Sequence, residues 1–324
     1  MMQYRKMKGT GIKVSEICLG TMTFGGQTDE NESLKILDYA IENGINFIDT
    51  ADAYNDGESE KIVGKGIKNL REKLIIATKV RFKSGTEINN YGLNRRHILK
   101  QIDKSLKNLN TDYIDLYYLH AMDNNTNIEE TMDTMTFLVR SGKVRYIGIS
   151  NYPAWKICEI YWKSELKNYI FPIVTQNMYN LITREVEKEL IPFIKEYKIG
   201  MTIYNPIAGG LLTGKYKYNG YIKNTRFTLK PNYKERYWNK DNFNAVDDLT
   251  DLAQKNSMSL LELSMKWCLS HEFVDSAISG VSKLKQLEEN IAAVNGKKLD
   301  DFVLAKCDEI WLKYNKNNPS YFKG

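Results

Sequence analysis

Several function classes are excluded by what this sequence has little of. Histidine occurs three times, at His97, His120 and His271, and His271-Glu272 lacks the second histidine of a zinc-protease helix. A zinc site is not expected. The four cysteines, Cys18, Cys158, Cys268 and Cys307, form no C-x-x-C pair, so they are expected as buried free thiols in a reducing compartment. No apolar run approaches the roughly 20 residues of a membrane span, and mean hydropathy is −0.47. The basic start, Met1 to Lys8, is followed by no apolar segment, so no secretory signal and a cytoplasmic location are expected. The net charge is +6, from 46 basic and 40 acidic residues, but the lysines are scattered without a dense basic stripe. No nucleic-acid partner and no membrane insertion are expected.

There is also no G-x-G-x-x-G after a strand, which argues against a Rossmann dinucleotide site. Gly209-Gly210-Leu211-Leu212-Thr213-Gly214-Lys215 approaches a P-loop, but Tyr216 stands where the magnesium-binding hydroxyl belongs. Tyr4/Lys8 and Tyr152/Lys156 match a Y-x-x-x-K spacing, which chance supplies among 21 tyrosines.

What is present is alternation. A hairpin is expected around Lys8–Gly11, then short apolar runs alternate with helical periods. Strands are expected at 17–20, 45–49, 74–78, 113–119, 143–149, 172–176, 199–204 and 274–279. Helices are expected at 32–43, 58–68, 94–109, 128–140, 153–166, 184–197, 242–255, 259–270, 283–293 and 300–314. In the 94–109 helix, Asn94 is the cap, with Leu99, Ile102, Leu106 and Leu109 on one face. Eight strands separated by helices imply a parallel sheet, and over about 250 residues or more a closed (β/α)₈ TIM barrel. No linker interrupts residues 1–324, so one domain is expected. Segment 207–240 has no clear period and reads as a long functional loop.

Chemistry-bearing residues collect where strands end. Strand 45–49 ends in Asp49 and leads to Tyr54; strand 74–78 ends in Lys79; strand 113–119 ends in His120. In parallel α/β folds that end carries ligands and chemistry. On these residues, from about Tyr4 to Leu312, the chain resembles the aldo-keto reductases. The branch is similar to potassium-channel β-subunit-like and aflatoxin-aldehyde-reductase-like members.

The resemblance implies an N-terminal hairpin closing the barrel, a C-terminal helix, and reduction of aldehydes and ketones. Tyr54 is then the proton donor, Lys79 lowers its pKa, Asp49 keeps Lys79 charged, and His120 orients the carbonyl. His120 rather than glutamate favours carbonyl over steroid double-bond reduction. The resemblance also implies NADPH as cofactor, with NAD as the alternative. Ser150, Asn151 and Gln176 are expected on the carboxamide and Tyr204 on the nicotinamide ring. Asn205, Pro206, Ile207, Gly209, Leu211 and Lys215 form a pyrophosphate strap, with Arg226 beyond it. Gly280, Ser282 and Gln286 are expected near the adenosine 2′-phosphate, with Glu289 and Asn290 on adenine. Gly20, Thr21, Met22 and Asp49 complete the cofactor set. Many members carry arginine where Gln286 stands, which leaves Lys283 or Arg226 to supply that charge.

The substrate pocket is expected from Met22, Phe24, Tyr54, Arg81, His120, Met122 and Tyr179, with Arg81 selecting anionic or polar aldehydes. The partner is a small carbonyl compound, and a homo-oligomer is left open. Some members of the branch are channel subunits that bind NADPH as redox sensors with slow turnover, the alternative reading.

Overall fold

The structure, a computed structural model, describes residues 2–220, 223 and 225–314. Two short strands, β1 (Tyr4–Lys6) and β2 (Lys13–Ser15), form an antiparallel hairpin. Eight strands follow: β3 (Ile17–Gly20), β4 (Phe47–Asp49), β5 (Ile75–Val80), β6 (Ile114–Leu119), β7 (Val144–Ser150), β8 (Val174–Met178), β9 (Gly200–Tyr204) and β10 (Ser276–Gly280). They close in the order β10-β3-β4-β5-β6-β7-β8-β9, and every neighbouring pair is parallel. This is the expected (β/α)₈ barrel. Met7 and Val14 of the hairpin pack with Cys18, Phe47, Ala77, Leu116, Tyr118 and Val174 inside the barrel, so the hairpin closes its N-terminal end. Gly148 makes room for the Tyr118 ring, since a Cβ there would lie 2.4 Å from Cδ1.

The helices are α1 (Glu30–Glu42), α2 (Glu58–Gly66), α3 (Arg95–Leu109), α4 (Ile128–Arg140), α5 (Ala154–Lys167), α6 (Leu190–Glu196), α7 (Arg226–Leu229), α8 (Pro231–Tyr237), α9 (Lys240–Lys255), α10 (Leu260–Ser270), α11 (Leu284–Val294) and α12 (Asp301–Tyr314). Their starts follow local chemistry. Asp29 accepts from the Glu32 amide at 2.9 Å, and Asn94 accepts from the His97 amide at 2.9 Å. Apolar side chains at helical spacing, such as Ile36, Leu37 and Ala40 of α1, pack on the barrel's outer face. Burying each large aliphatic side chain there contributes about 1.5–3 kcal/mol.

Three local expectations change. The helix expected over 184–197 is split into a 3₁₀ turn, Glu185–Glu187, and α6. Pro192 lacks the N–H that a continuous helix would bond to Lys188, but it fits the first turn of α6. Segment 207–240 is not a bare loop. It contains a 3₁₀ turn, Ala208–Thr213, then α7 and α8, with Phe227 and Tyr237 each the single buried residue of a short helix. One buried residue per helix leaves no period to detect. The deepest face of α3 is Ile98, Gln101, Ile102, Ser105 and Leu109, while Leu99 and Leu106 are only half-buried. Gln101 is drawn inward by a buried acid, Asp52, to which its Nε2 donates at 3.1 Å.

Candidate active site

Strand alternation sets the site's centre. In β5, Ala77 and Lys79 point into the barrel, while Ile76, Thr78 and Val80 face the helices. Lys79 is fully buried. Its Nζ donates to Asp49 Oδ1 at 2.5 Å, to the Thr50 carbonyl at 2.8 Å and to the Tyr54 hydroxyl at 3.3 Å. The other carboxylate oxygen of Asp49 accepts from Gln176 Nε2 at 2.9 Å. Residues from the ends of three strands, β4, β5 and β8, thus converge on one ion pair. Tyr54 lies beyond β4, at the start of a 3₁₀ turn, Tyr54–Gly57. Its ring meets the His120 ring edge-on, 5.9 Å between centroids, and Phe82 meets His120 at 4.8 Å.

The charges follow from burial and neighbours. Burial works against the Lys79 ammonium, but Asp49 and Tyr54 outweigh it, and its pKa is raised. Burial also raises the Tyr54 phenol. Lys79 opposes this without reversing it, so the net shift is upward. The expected lowering by Lys79 is therefore present but smaller than the desolvation of the phenolate. Burial, with Lys79 and Arg81, holds His120 well below the ordinary imidazole range. The His120 ring is neutral, and its buried Nδ1 has no hydrogen-bond partner among the described residues.

A cavity of about 600 Å³ opens from this centre. It is lined at one end by Met22, Tyr54, Phe82 and His120, and at the other by Ser282, Gln286, Glu289 and Asn290. Between them lie Gly20, Thr21, Asp49, Ser150, Asn151, Gln176, Tyr204, Asn205, Pro206, Ile207, Gly209, Lys215, Arg226 and Gly280. The donor set suits a nicotinamide dinucleotide. Amide and hydroxyl side chains from β7 and β8 lie near the catalytic end, where a group that both donates and accepts would fit. Gly209 and Gly210 have φ of 67° and 100°, and a Cβ on Gly280 would meet nothing within 4 Å. Backbone can therefore approach an anion closely, with Lys215 and Arg226 beside it. Gln286 Oε1 accepts from the Ser282 amide at 2.8 Å, so its carbonyl is occupied in holding the chain before α11.

Several expected residues lie elsewhere. Leu211 is fully buried in the core and does not line the cavity. Phe24 and Tyr179 are also fully buried; the Tyr179 hydroxyl donates to Glu187 and its ring stacks on Trp267 at 5.0 Å. Arg81 and Met122 do not line the cavity. Arg81 Nη2 donates to the Met122 carbonyl at 3.3 Å, and its guanidinium packs over Phe82 and Tyr91. β5 ends at Val80, so alternation no longer aims Arg81 inward. The cavity residues that sequence reasoning missed include Phe82, Tyr233 and Arg236. Phe82 adjoins Arg81 and was accessible to a reading of the loop after β5. Tyr233 and Arg236 come from α8, which has no period to signal it.

Comparisons with known proteins bear on this geometry. The family model described as Aldo/keto reductase family matches residues 16–312. The chain is 35% identical to "Probable voltage-gated potassium channel subunit beta" of Arabidopsis thaliana, over 99% of this chain and 100% of that protein. It is 34% identical to "Aflatoxin B1 aldehyde reductase member 2" of Rattus norvegicus, over 98% of this chain and 90% of that one. It is 33% identical to an uncharacterized oxidoreductase of Bacillus subtilis, over 96% of both. The chain belongs to the aldo/keto reductase family, as an oxidoreductase that acts on carbonyl groups with NAD(P)H.

Proposed function

We propose that this protein reduces aldehydes and ketones to alcohols with NADPH, and that Tyr54 delivers the proton. The observation that carries this reading is the chain from Asp49 through Lys79 to the Tyr54 hydroxyl, beside a neutral His120. With its pKa raised, Tyr54 holds its proton at neutral pH, ready to give it to a forming alkoxide. Lys79 stabilises the phenolate left behind, and Asp49 keeps Lys79 charged and aimed. His120 donates to the substrate oxygen and orients it. Asp49 and Lys79 are buried behind the cavity, so the Lys79 ammonium acts on the phenol at low dielectric.

Ser150, Asn151 and Gln176 would hold the carboxamide of the cofactor, and Tyr204 the face of its ring. Lys215 and Arg226 would hold its phosphates, and Ser282 and Gln286 the 2′-phosphate region. When bound, the cofactor supplies the hydride. NADPH is preferred over NADH in this reading because Arg226, which lines the cavity beyond the strap, can meet the 2′-phosphate that NADH lacks. Arg236 lines the cavity and makes no ion pair among the described residues; its guanidinium lies over Tyr233 and Tyr237. An unneutralised guanidinium favours substrates that carry a negative group as well as the carbonyl.

The test is NADPH oxidation with a panel of aldehydes, in the wild type and Tyr54→Phe. A fall of about 10²–10⁴-fold, with cofactor binding retained, is expected. An unchanged rate refutes Tyr54 as the donor. A slow-turnover regulatory subunit is the weaker reading, because all four groups meet in a geometry fit for turnover. Negligible turnover across the panel, with tight NADPH binding, would reverse that order.

A further inference from the structure

The loop between Asp49 and Tyr54 is pinned twice. On its barrel side, the Thr50 amide donates to the Ala77 carbonyl at 2.9 Å and the Asp52 amide to the Lys79 carbonyl at 3.3 Å. On its outer side the Asp52 side chain, only 3% exposed, turns away from the cavity toward α2 and α3. There Asp52 Oδ2 accepts from Gln101 Nε2 at 3.1 Å, and Oδ1 has no partner among the described residues. A second carboxylate, Glu60 of α2, is fully buried nearby. Its two oxygens accept from Thr78 Oγ1 at 2.7 Å and from Asn108 Nδ2 at 3.0 Å. Thr78 is the outward neighbour of Lys79, so this pair sits directly behind the catalytic centre. The loop also carries strain just past Tyr54. Asn55 and Asp56 have φ of 47° and 55°, the left-handed region. A strained turn keeps its shape only while its surroundings hold it.

Two buried carboxylates without a paired cation cannot both be charged. Glu60 has a donor on each oxygen. Asp52 has no partner on Oδ1 among the described residues and is the member that stays protonated.

We propose that Asp52 is a positioning residue, a neutral buried acid that holds the Tyr54 loop in place through Gln101, beside a second buried carboxylate, Glu60. Burial, then the charge of Glu60, pushes Asp52 up to about 8, while the Ala53 amide, Lys104 and Lys79 oppose the rise. Lys104 of α3 is turned to Ser84, to which its Nζ donates at 3.1 Å. The Tyr117 phenol of β6, raised well above 10 by burial and by Asp52 and Glu60, stays neutral and brings no countercharge. Above its pKa, Asp52 becomes an uncompensated buried anion beside the Glu60 carboxylate, and the loop loosens before Tyr54 itself titrates.

This inference rests on carbonyl reduction only for its kinetic readout. The experiment follows kcat against pH, and hydrogen exchange of residues 50–57 at about pH 9, in wild type, Asp52→Asn and Glu60→Gln. Wild-type kcat should fall about tenfold for each unit above the midpoint. Asp52→Asn, which mimics the neutral acid, should keep kcat at pH 7 within about threefold and lose that fall. Glu60→Gln, which removes the charge that helps raise Asp52, should move the midpoint downward. Amides 50–57 should exchange faster at alkaline pH in wild type than in Asp52→Asn. Coincident pH profiles and coincident exchange in wild type and Asp52→Asn overturn the proposal. If no variant turns over a carbonyl but the exchange difference is present, the functional reading fails and the positioning role stands.

Discussion

Replacing Lys79 by methionine tests the electrostatic reasoning most directly. The change keeps much of the side chain's volume and removes the charge. Asp49, its partner, is 3% exposed at the side chain and would be left as a buried anion held only by Gln176. Breaking a buried pair in this way costs about 3–5 kcal/mol, since the remaining charge keeps its full desolvation penalty. A chain of 324 residues unfolds with an entropy of about 0.7 kcal/mol/K. The expected drop in Tm is therefore about 4–7 °C at pH 7. The sign with pH is set by the raised pKa of Lys79. A group whose folded pKa lies above its ordinary value contributes stability that is complete below that ordinary value and lost as pH rises through the folded one. The gap between wild type and Lys79→Met should thus be constant through neutrality and narrow only above about pH 10.5. The double change Asp49→Asn/Lys79→Met removes both charges while leaving an oxygen for Gln176, and should recover more than half of the lost Tm. Calorimetry at several pH values measures all of this. A Tm for Lys79→Met within about 1 °C of wild type would refute the buried pair as described.

Two further outcomes follow from the cavity. His120→Gln should lower kcat about 10²–10³-fold in steady-state assays, by removing a positioned donor. Because His120 is neutral well below pH 6.5, wild-type kcat should show no inflection between about pH 6 and 7; an imidazole inflection there would refute the neutral ring. Arg236→Leu should raise KM about tenfold or more for a carboxylated aldehyde and leave its neutral ester unchanged; equal effects on both would remove Arg236 from substrate recognition.

Much of the fold and of the candidate site was legible in the chain alone, because both rest on short periods. The strand period of two and the helical period of 3.6 are local, so apolar runs and capped amphipathic stretches already announced eight units. Strand ends then located Asp49, Lys79 and His120 before any contact was known. Only tertiary structure decided what depends on distant partners. It turned Arg81 onto the Met122 carbonyl and brought Arg236 to the cavity instead, from a helix too short to show a period. It made burial outweigh Lys79 at the Tyr54 phenol, a balance between desolvation and a charge that no sequence pattern encodes. It set Asp52 beside Glu60 behind the same loop, where Gln101 and Asn108 of a neighbouring helix each bond one of the two carboxylates.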